Sequence, residues 1–110
     1  MACYVQFQFH AAIDHLDKAT ELFLYRITQE LLQNIIKHAQ ATTAWLMVKE
    51  LNNKLSIIVE DNGRGFNAKK AFACGTGLAV LKQKIKQLKG NFEIDSTPDK
   101  GTTIIIDLPL

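Results

Sequence analysis

Two apolar runs, Ala44–Glu50 (AWLMVKE) and Lys54–Glu60 (KLSIIVE), are separated only by Leu51-Asn52-Asn53. Short runs rich in β-formers, joined by so short a gap with asparagine in it, predict a β-hairpin. A hairpin alone is marginal in water, so this chain can fold only by adding strands and covering an apolar face. The remaining patterns supply both. Tyr4–Phe9 (YVQFQF) alternates, with Val5, Phe7 and Phe9 on one side and Tyr4, Gln6 and Gln8 on the other, and reads as a strand. Asn91–Ser96 (NFEIDS) and Thr102–Leu108 (TTIIIDL) read as two more, joined by the turn Thr97-Pro98-Asp99-Lys100-Gly101.

Between strands the period changes. From about Thr20 to Ala39, Leu24, Ile27, Leu31 and Ile35 recur at helical spacing, with Leu32 and Ile36 beside them. This predicts a long amphipathic helix, with Thr20 as N-cap before Glu21. Asn67–Cys74 carries little periodicity and reads as a loop. Gly77–Lys89 returns to helical spacing through Leu78, Leu81, Ile85 and Leu88, with Gly90 as the C′ glycine. The order strand, helix, strand, strand, loop, helix, strand, strand predicts an α/β two-layer sandwich, its mixed, largely antiparallel sheet covered on one face by helices. No repeat or linker interrupts it, so residues 1–110 are expected to form a single domain.

Composition narrows the function classes. A net charge of +2 without a basic block argues against nucleic acid as the main partner. No apolar run, that around Ile104–Ile106 included, is long enough to span a membrane. The N-terminal MACYVQFQFH lacks the pattern of a signal peptide. Cys3 and Cys74 have no metal-type spacing and fit a reducing compartment. A cytoplasmic domain, with no membrane contact by this segment, is expected.

Three local patterns carry chemistry. In IIVEDNGRGF an apolar run ends in Asp61-Asn62-Gly63-Arg64-Gly65. This is either a surface turn or a ligand site, since glycine lets backbone come close to a bound molecule. Glu30, Asn34 and His38 stand at i, i+4 and i+8 on the first helix, with Lys37 beside them. They read as a solvated helix face, or as a strip aimed at phosphates and a cation. An Asn carbonyl suits Mg²⁺, Lys is a point charge for phosphate, and Glu can orient water or take a proton. Gly75-Thr76-Gly77 opens the second helix, where backbone N–H groups favour anions, or simply eases the chain into it.

Together these motifs resemble the ATP-binding domain of sensor histidine kinases, in the class shared with gyrase, a heat-shock chaperone and a mismatch-repair ATPase. QELLQNIIKHA looks like the family's N box, DNGRGF its first glycine box, GTGL its second, and GNFEIDSTPDKGTTIIIDLPL its last two strands. The likeness runs from about Glu21 to Leu110 in matching order and spacing. The short segment between the glycine boxes is similar to the compact lids of the nitrate- and fluidity-sensor kinases.

The resemblance implies the Bergerat fold and a set of roles. Asp61 accepts a hydrogen bond from the exocyclic amine of adenine. Gly63 and Gly65 let the chain pass the nucleotide. Asn34 holds Mg²⁺, Lys37 reaches phosphate, and His38 lies along the same strip. Gly75, Gly77 and Leu78 flank the lid at the phosphates. Thr102 supports the adenine end through its hydroxyl. Glu30 stands at the position that activates water in the hydrolytic relatives. The implied ligands are ATP and Mg²⁺, and the implied activity is that of a protein histidine kinase's catalytic part. The implied partners are a histidine-bearing dimerisation domain and, indirectly, a response regulator.

The chain departs from the whole-kinase pattern in lacking the phosphoacceptor hairpin before the N box. His10 and His15 fall in the first strand and its connection, so the isolated chain is not expected to autophosphorylate. Two other readings compete. One is an ATP-binding anti-sigma or switch module of the same fold. The other is a dinucleotide-binding domain, since Asp95 follows Gly75-Thr76-Gly77 by about the fingerprint distance. That fingerprint wants a strand before its glycines, which Lys69–Cys74 does not resemble, and a small residue where Val80 stands.

Overall fold

The computed structural model describes residues 4–10, 17–35, 41–63, 77–96 and 101–109. Five strands, β1 (Tyr4–His10), β2 (Thr43–Leu51), β3 (Lys54–Asp61), β4 (Asn91–Ser96) and β5 (Thr102–Pro109), form one sheet in the order β1-β2-β3-β5-β4. Only β1 and β2 run parallel; the other neighbours are antiparallel. Helix α1 (Lys18–Asn34) lies in the crossover between β1 and β2, and α2 (Gly77–Gln87) lies between β3 and β4.

The hairpin forms as predicted. Leu51 pairs with Lys54, and both turn residues take left-handed backbone, Asn52 at φ 55° and Asn53 at φ 60°. Two consecutive positive φ values make the tight turn whose twist matches that of the strands, and asparagine tolerates them better than most side chains.

Strict alternation gives the sheet one apolar face. Ala44, Leu46 and Val48 from β2, Leu55, Ile57 and Val59 from β3, and Ile104, Ile106 and Leu108 from β5 are all buried. They join Leu24, Ile27, Leu31 and Ile35 of α1, and Leu81 and Ile85 of α2, in one core. The period-2 pattern of the strands and the helical period thus meet on the same side. The opposite face stays open, with Trp45 40% exposed and Lys49 and Glu60 exposed. On β1, Val5 and Phe9 pack against the core. Phe7 registers with core residue Leu46 yet is 52% exposed, and stacks on Phe9 with centroids 6.2 Å apart. A strand at the sheet's edge has a neighbour on one side only, so correct alternation does not guarantee cover.

Both helix ends differ from the sequence expectation. Helix α1 is capped by Asp17, not Thr20: the Asp17 carboxylate accepts the Thr20 N–H at 2.7 Å. A carboxylate is the stronger acceptor for an orphan helix amide, so the helix starts earlier and Thr20 becomes the capped residue. The same bond holds the Asp17 carboxyl below its ordinary range.

At the end of α2 the left-handed residue is Lys89 (φ 61°), not Gly90. Lys89 N–H donates to the Lys86 carbonyl at 3.0 Å and Gly90 N–H to the Ile85 carbonyl at 2.8 Å, the paired bonds of a Schellman cap. Gly90 serves proximity instead. A Cβ there would sit 2.5 Å from the Asp107 carbonyl oxygen and 2.9 Å from Ile85 Cγ2. Leu88 is about half exposed, because the helix has already ended. Lys89→Gly should therefore stabilise the domain by about 1 kcal/mol, by removing the left-handed penalty of an L side chain. Urea unfolding of the two forms checks this; a loss of stability would mean that the Lys89 side chain makes an offsetting contact.

Candidate functional site

Strand β3 buries alternate residues Leu55, Ile57 and Val59, and the next inward position is Asp61. Its carboxylate thus occupies a place the pattern reserves for an aliphatic side chain. Among the described residues the buried polar side chains are Asp61 and Thr102, 9% and 7% exposed. They are direct cross-strand partners. Ala44 flanks Asp61 on β2, and Ser96 flanks Thr102 on β4. One row, Ala44–Asp61–Thr102–Ser96, therefore crosses four strands at one end of the sheet.

Asp61 Oδ1 accepts the Gly63 N–H at 2.8 Å, an Asx-type turn that aims the chain away from the strand. Burial pushes the Asp61 carboxyl above its ordinary range, and the Gly63 bond pulls part of the way back. Ser96 Oγ lies 2.8 Å from Thr102 Oγ1. The row ends in groups that can accept and donate hydrogen bonds in a water-poor place.

Two neighbours hold this end together. Asn62 Oδ1 accepts the N–H groups of Thr42 (3.1 Å) and Thr43 (3.0 Å), while its Nδ2 donates to Thr42 Oγ1 (3.0 Å). Its own N–H donates to the Thr43 carbonyl at 3.2 Å. The end of β3 is thereby tied to the chain entering β2. Gly101, at φ 87°, passes so close that a Cβ would lie 2.3 Å from the Asp61 carbonyl oxygen. Sequence reasoning took Asn62 and Gly101 only as turn residues and gave Ser96 no role. The sole available signal was their placement beside Asp61 and Thr102 in the motifs.

Topology brings the helix ends to the same region. Since β1 and β2 are parallel neighbours, α1 runs back between them, so its last turns precede the β2 start beside Asp61. Those turns carry half-buried Glu30 and, at the last helical residue, Asn34. Gly90 and the start of β4 lie at the far end of the sheet, against Asp107. Helix α2 ends there, so its first residue, Gly77, followed by Leu78, faces back toward the Asp61 end. Asp61, Gly63 and Thr102 are thus brought together directly, while Glu30 and Asn34 lie in the last turns of α1 and Gly77 and Leu78 open α2. Lys37, His38, Gly65 and Gly75, the segment Asn67–Cys74 expected to form a lid, Cys3, His15, and the Thr97–Lys100 part of the expected last turn lie outside the described residues.

The sequence matches the family described as histidine kinase-, DNA gyrase B-, and HSP90-like ATPase over residues 19–110. The chain belongs to this ATPase family. It is similar to the signal transduction histidine-protein kinase/phosphatase DegS of Brevibacillus brevis, 34% identical over 107 residues, covering 97% of this chain and 28% of that protein. Sensor histidine kinase ComP of Bacillus subtilis is 36% identical over 97 residues, covering 86% of this chain and 13% of that protein. The sensor protein VraS of Staphylococcus epidermidis is 33% identical over 93 residues, covering 84% of this chain and 27% of that protein. The chain thus spans less than a third of each. The blue-light activated histidine kinase of Erythrobacter litoralis EL346 superposes over 100% of this chain and 36% of its own, with a TM-score of 0.82 at 22% identity, which shows the shared fold. The dinucleotide-binding alternative falls with this membership. Its architecture is an open, mostly parallel sheet, and Val80 and Asp95 here are exposed. Among the described residues no helix is long and apolar enough to cross a membrane.

Proposed function

We propose that this chain binds Mg-ATP at the Asp61 end of the sheet and presents the γ-phosphate to a histidine on a separate domain. The observation that carries the reading is the cross-strand pair Asp61 and Thr102, buried and polar in a layer that is otherwise apolar. A desolvated carboxylate with Gly63 on one of its oxygens is costly unless something else uses the site. The exocyclic amine of adenine is a donor of the right kind. Gly63 leaves room for the base, and Thr102 supplies a second polar contact.

The phosphates then extend toward the ends of α1 and α2. The N–H groups at the start of α2 favour anionic oxygens. Asn34, one turn after Glu30, offers a hard oxygen to Mg²⁺, and Lys37 and His38, which follow it in sequence, are the expected phosphate contacts. Among the described residues no group of three His, Cys, Asp or Glu could hold a metal by itself. Mg²⁺ takes one or two protein ligands and completes its shell with phosphates and water. Bound there, the ion would neutralise phosphate charge. The chain's own part is positioning, because phosphoryl transfer asks for little covalent chemistry from the protein. Glu30 stands ready to orient or deprotonate the attacking group.

The kinases among the relatives favour a histidine recipient over the serine of a switch module. In this reading the acceptor sits on a dimerisation domain, a response regulator takes the phosphoryl group afterwards, and the domain works in the cytoplasm. Neither nucleic acid nor membrane is a partner of this segment.

Incubation of the chain with γ-labelled ATP should leave no acid-labile label on His10, His15 or His38. Stoichiometric labelling of any of them would overturn transfer to a separate domain. Asn34→Ala should weaken Mg-ATP binding about tenfold or more while leaving adenosine binding nearly unchanged, since it removes a metal ligand and no base contact. Titrations with both ligands test this; equal losses would place Asn34 in a structural role.

A further inference from the structure

We infer that Ser96 is a positioning residue for base selection: it fixes the Thr102 hydroxyl as an acceptor beside Asp61. The inference rests on the adenine-nucleotide reading above and extends it to a residue to which that reading gives no role.

Ser96 and Thr102 are cross-strand partners, and their hydroxyl oxygens are 2.8 Å apart. One proton lies between them. The Ser96 hydroxyl also has an acceptor in the Gly101 carbonyl, at 3.4 Å. We place the Ser96 proton there, so that Thr102 donates the proton of the pair. A hydroxyl holds one proton and two lone pairs, so Thr102 then keeps only acceptor capacity for anything approaching from the Asp61 side. Thr102 is buried, which leaves bulk water little access to compete for that hydroxyl. The edge presented to a base is thus two acceptors, the Asp61 carboxylate and the Thr102 oxygen. Such an edge suits an amine with two N–H groups. It opposes the carbonyl that hypoxanthine carries at the same ring position.

Remove the Ser96 hydroxyl and the Thr102 proton is free to turn toward the site. An acceptor for the amine is lost, and a donor for a carbonyl is gained. The affinity ratio of ATP to ITP, which differ only at this edge, reads the switch. In Ser96→Ala that ratio should fall about threefold to tenfold, the worth of one neutral hydrogen bond. Ser96→Thr keeps a hydroxyl and should hold the ratio near the wild-type value. On a Thr102→Val background, Ser96→Ala should leave the ratio unchanged, because the group it acts through is gone.

The test is competition binding of ATP and ITP to the wild type, the two single variants at Ser96, Thr102→Val and the Ala/Val double variant, each first shown to be folded by its thermal transition. An unchanged ratio in Ser96→Ala would overturn the inference while leaving the nucleotide reading intact. So would an equal fall in Ser96→Thr, or a fall that persists without the Thr102 hydroxyl. Failure of the wild type to bind either nucleotide would overturn the nucleotide reading itself, and this inference with it.

Discussion

Gly101→Ala is expected to cost the domain about 2–5 kcal/mol, combining ~1–2 kcal/mol for an L side chain in left-handed backbone with ~1–3 kcal/mol for the forced displacement. At φ 87° the residue is already where only glycine is at ease, and the new Cβ would meet the Asp61 carbonyl oxygen at 2.3 Å. That oxygen belongs to a paired strand and has no side-chain freedom to yield. Relief requires β3 and β5 to part at the Asp61–Thr102 rung. A domain of this size is stable by only ~5–15 kcal/mol, so the loss is a large fraction of the whole. Urea unfolding should show it directly. The fraction that folds should also bind adenine nucleotide more weakly, because the displaced backbone carries the Asp61 carboxylate. A change under about 1 kcal/mol would mean that the loop before β5 adjusts freely. Gly90→Ala is the instructive comparison. It meets backbone at 2.5 Å but has no positive φ, and it lies at the opposite end of the sheet, so it should cost stability without changing nucleotide affinity among folded molecules.

Asp61→Asn should move stability and function in opposite directions. Burial raises the carboxyl above its ordinary value of 3.8, against the partial pull of the Gly63 N–H. The folded chain then holds this proton more tightly than the unfolded chain. Stability therefore falls as pH rises through the window from the ordinary value to the raised one, and stays lower at neutral pH. Asparagine keeps an oxygen for the Gly63 N–H and carries no charge. The ligand-free variant should therefore be more stable than wild type at pH 7, with the difference shrinking as pH falls toward 3.8. ATP affinity should drop about tenfold to a hundredfold, the worth of a hydrogen bond to a charged acceptor at ~1.5–3 kcal/mol. If Asp61 merely held the turn, the substitution would weaken the Asx bond, lower stability and leave ATP binding alone. Melting curves across pH, together with a nucleotide titration, separate the two cases.

The fold was readable because its signals are local and repeated. Ala44–Glu50 and Lys54–Glu60 could form only a hairpin around Asn52-Asn53, and Leu24, Ile27, Leu31 and Ile35 could line only a helix. The misreadings fall at helix ends, where several residues can do the same job. Asp17, three residues before Thr20, took the cap by accepting the Thr20 amide, and Lys89 accepted a strained backbone so that Gly90 could pass against β5. The alternation that assigned Phe7 to the apolar side was right, but a sequence does not tell how much cover an edge strand receives. At the site, Asp61 announced itself as a carboxylate closing an aliphatic strand. Its pairing with Thr102 could not be read, since register between strands distant in sequence is set by the whole sheet. Ser96, Asn62 and Gly101 were hidden for the same reason: each acts across strands, and a serine, an asparagine and a glycine near turns look ordinary along the chain.

Asp61 as the reader of adenine is tested most directly by competition binding of ATP and GTP to the wild-type chain in the presence of Mg²⁺. Guanine sets a carbonyl oxygen where adenine has its amine, so two acceptors would face each other in a water-poor pocket. The unpaired acceptor costs ~1–3 kcal/mol, and the account predicts saturable ATP binding preferred over GTP by at least about tenfold. Equal affinities for the two, or no saturable binding of ATP, would contradict it.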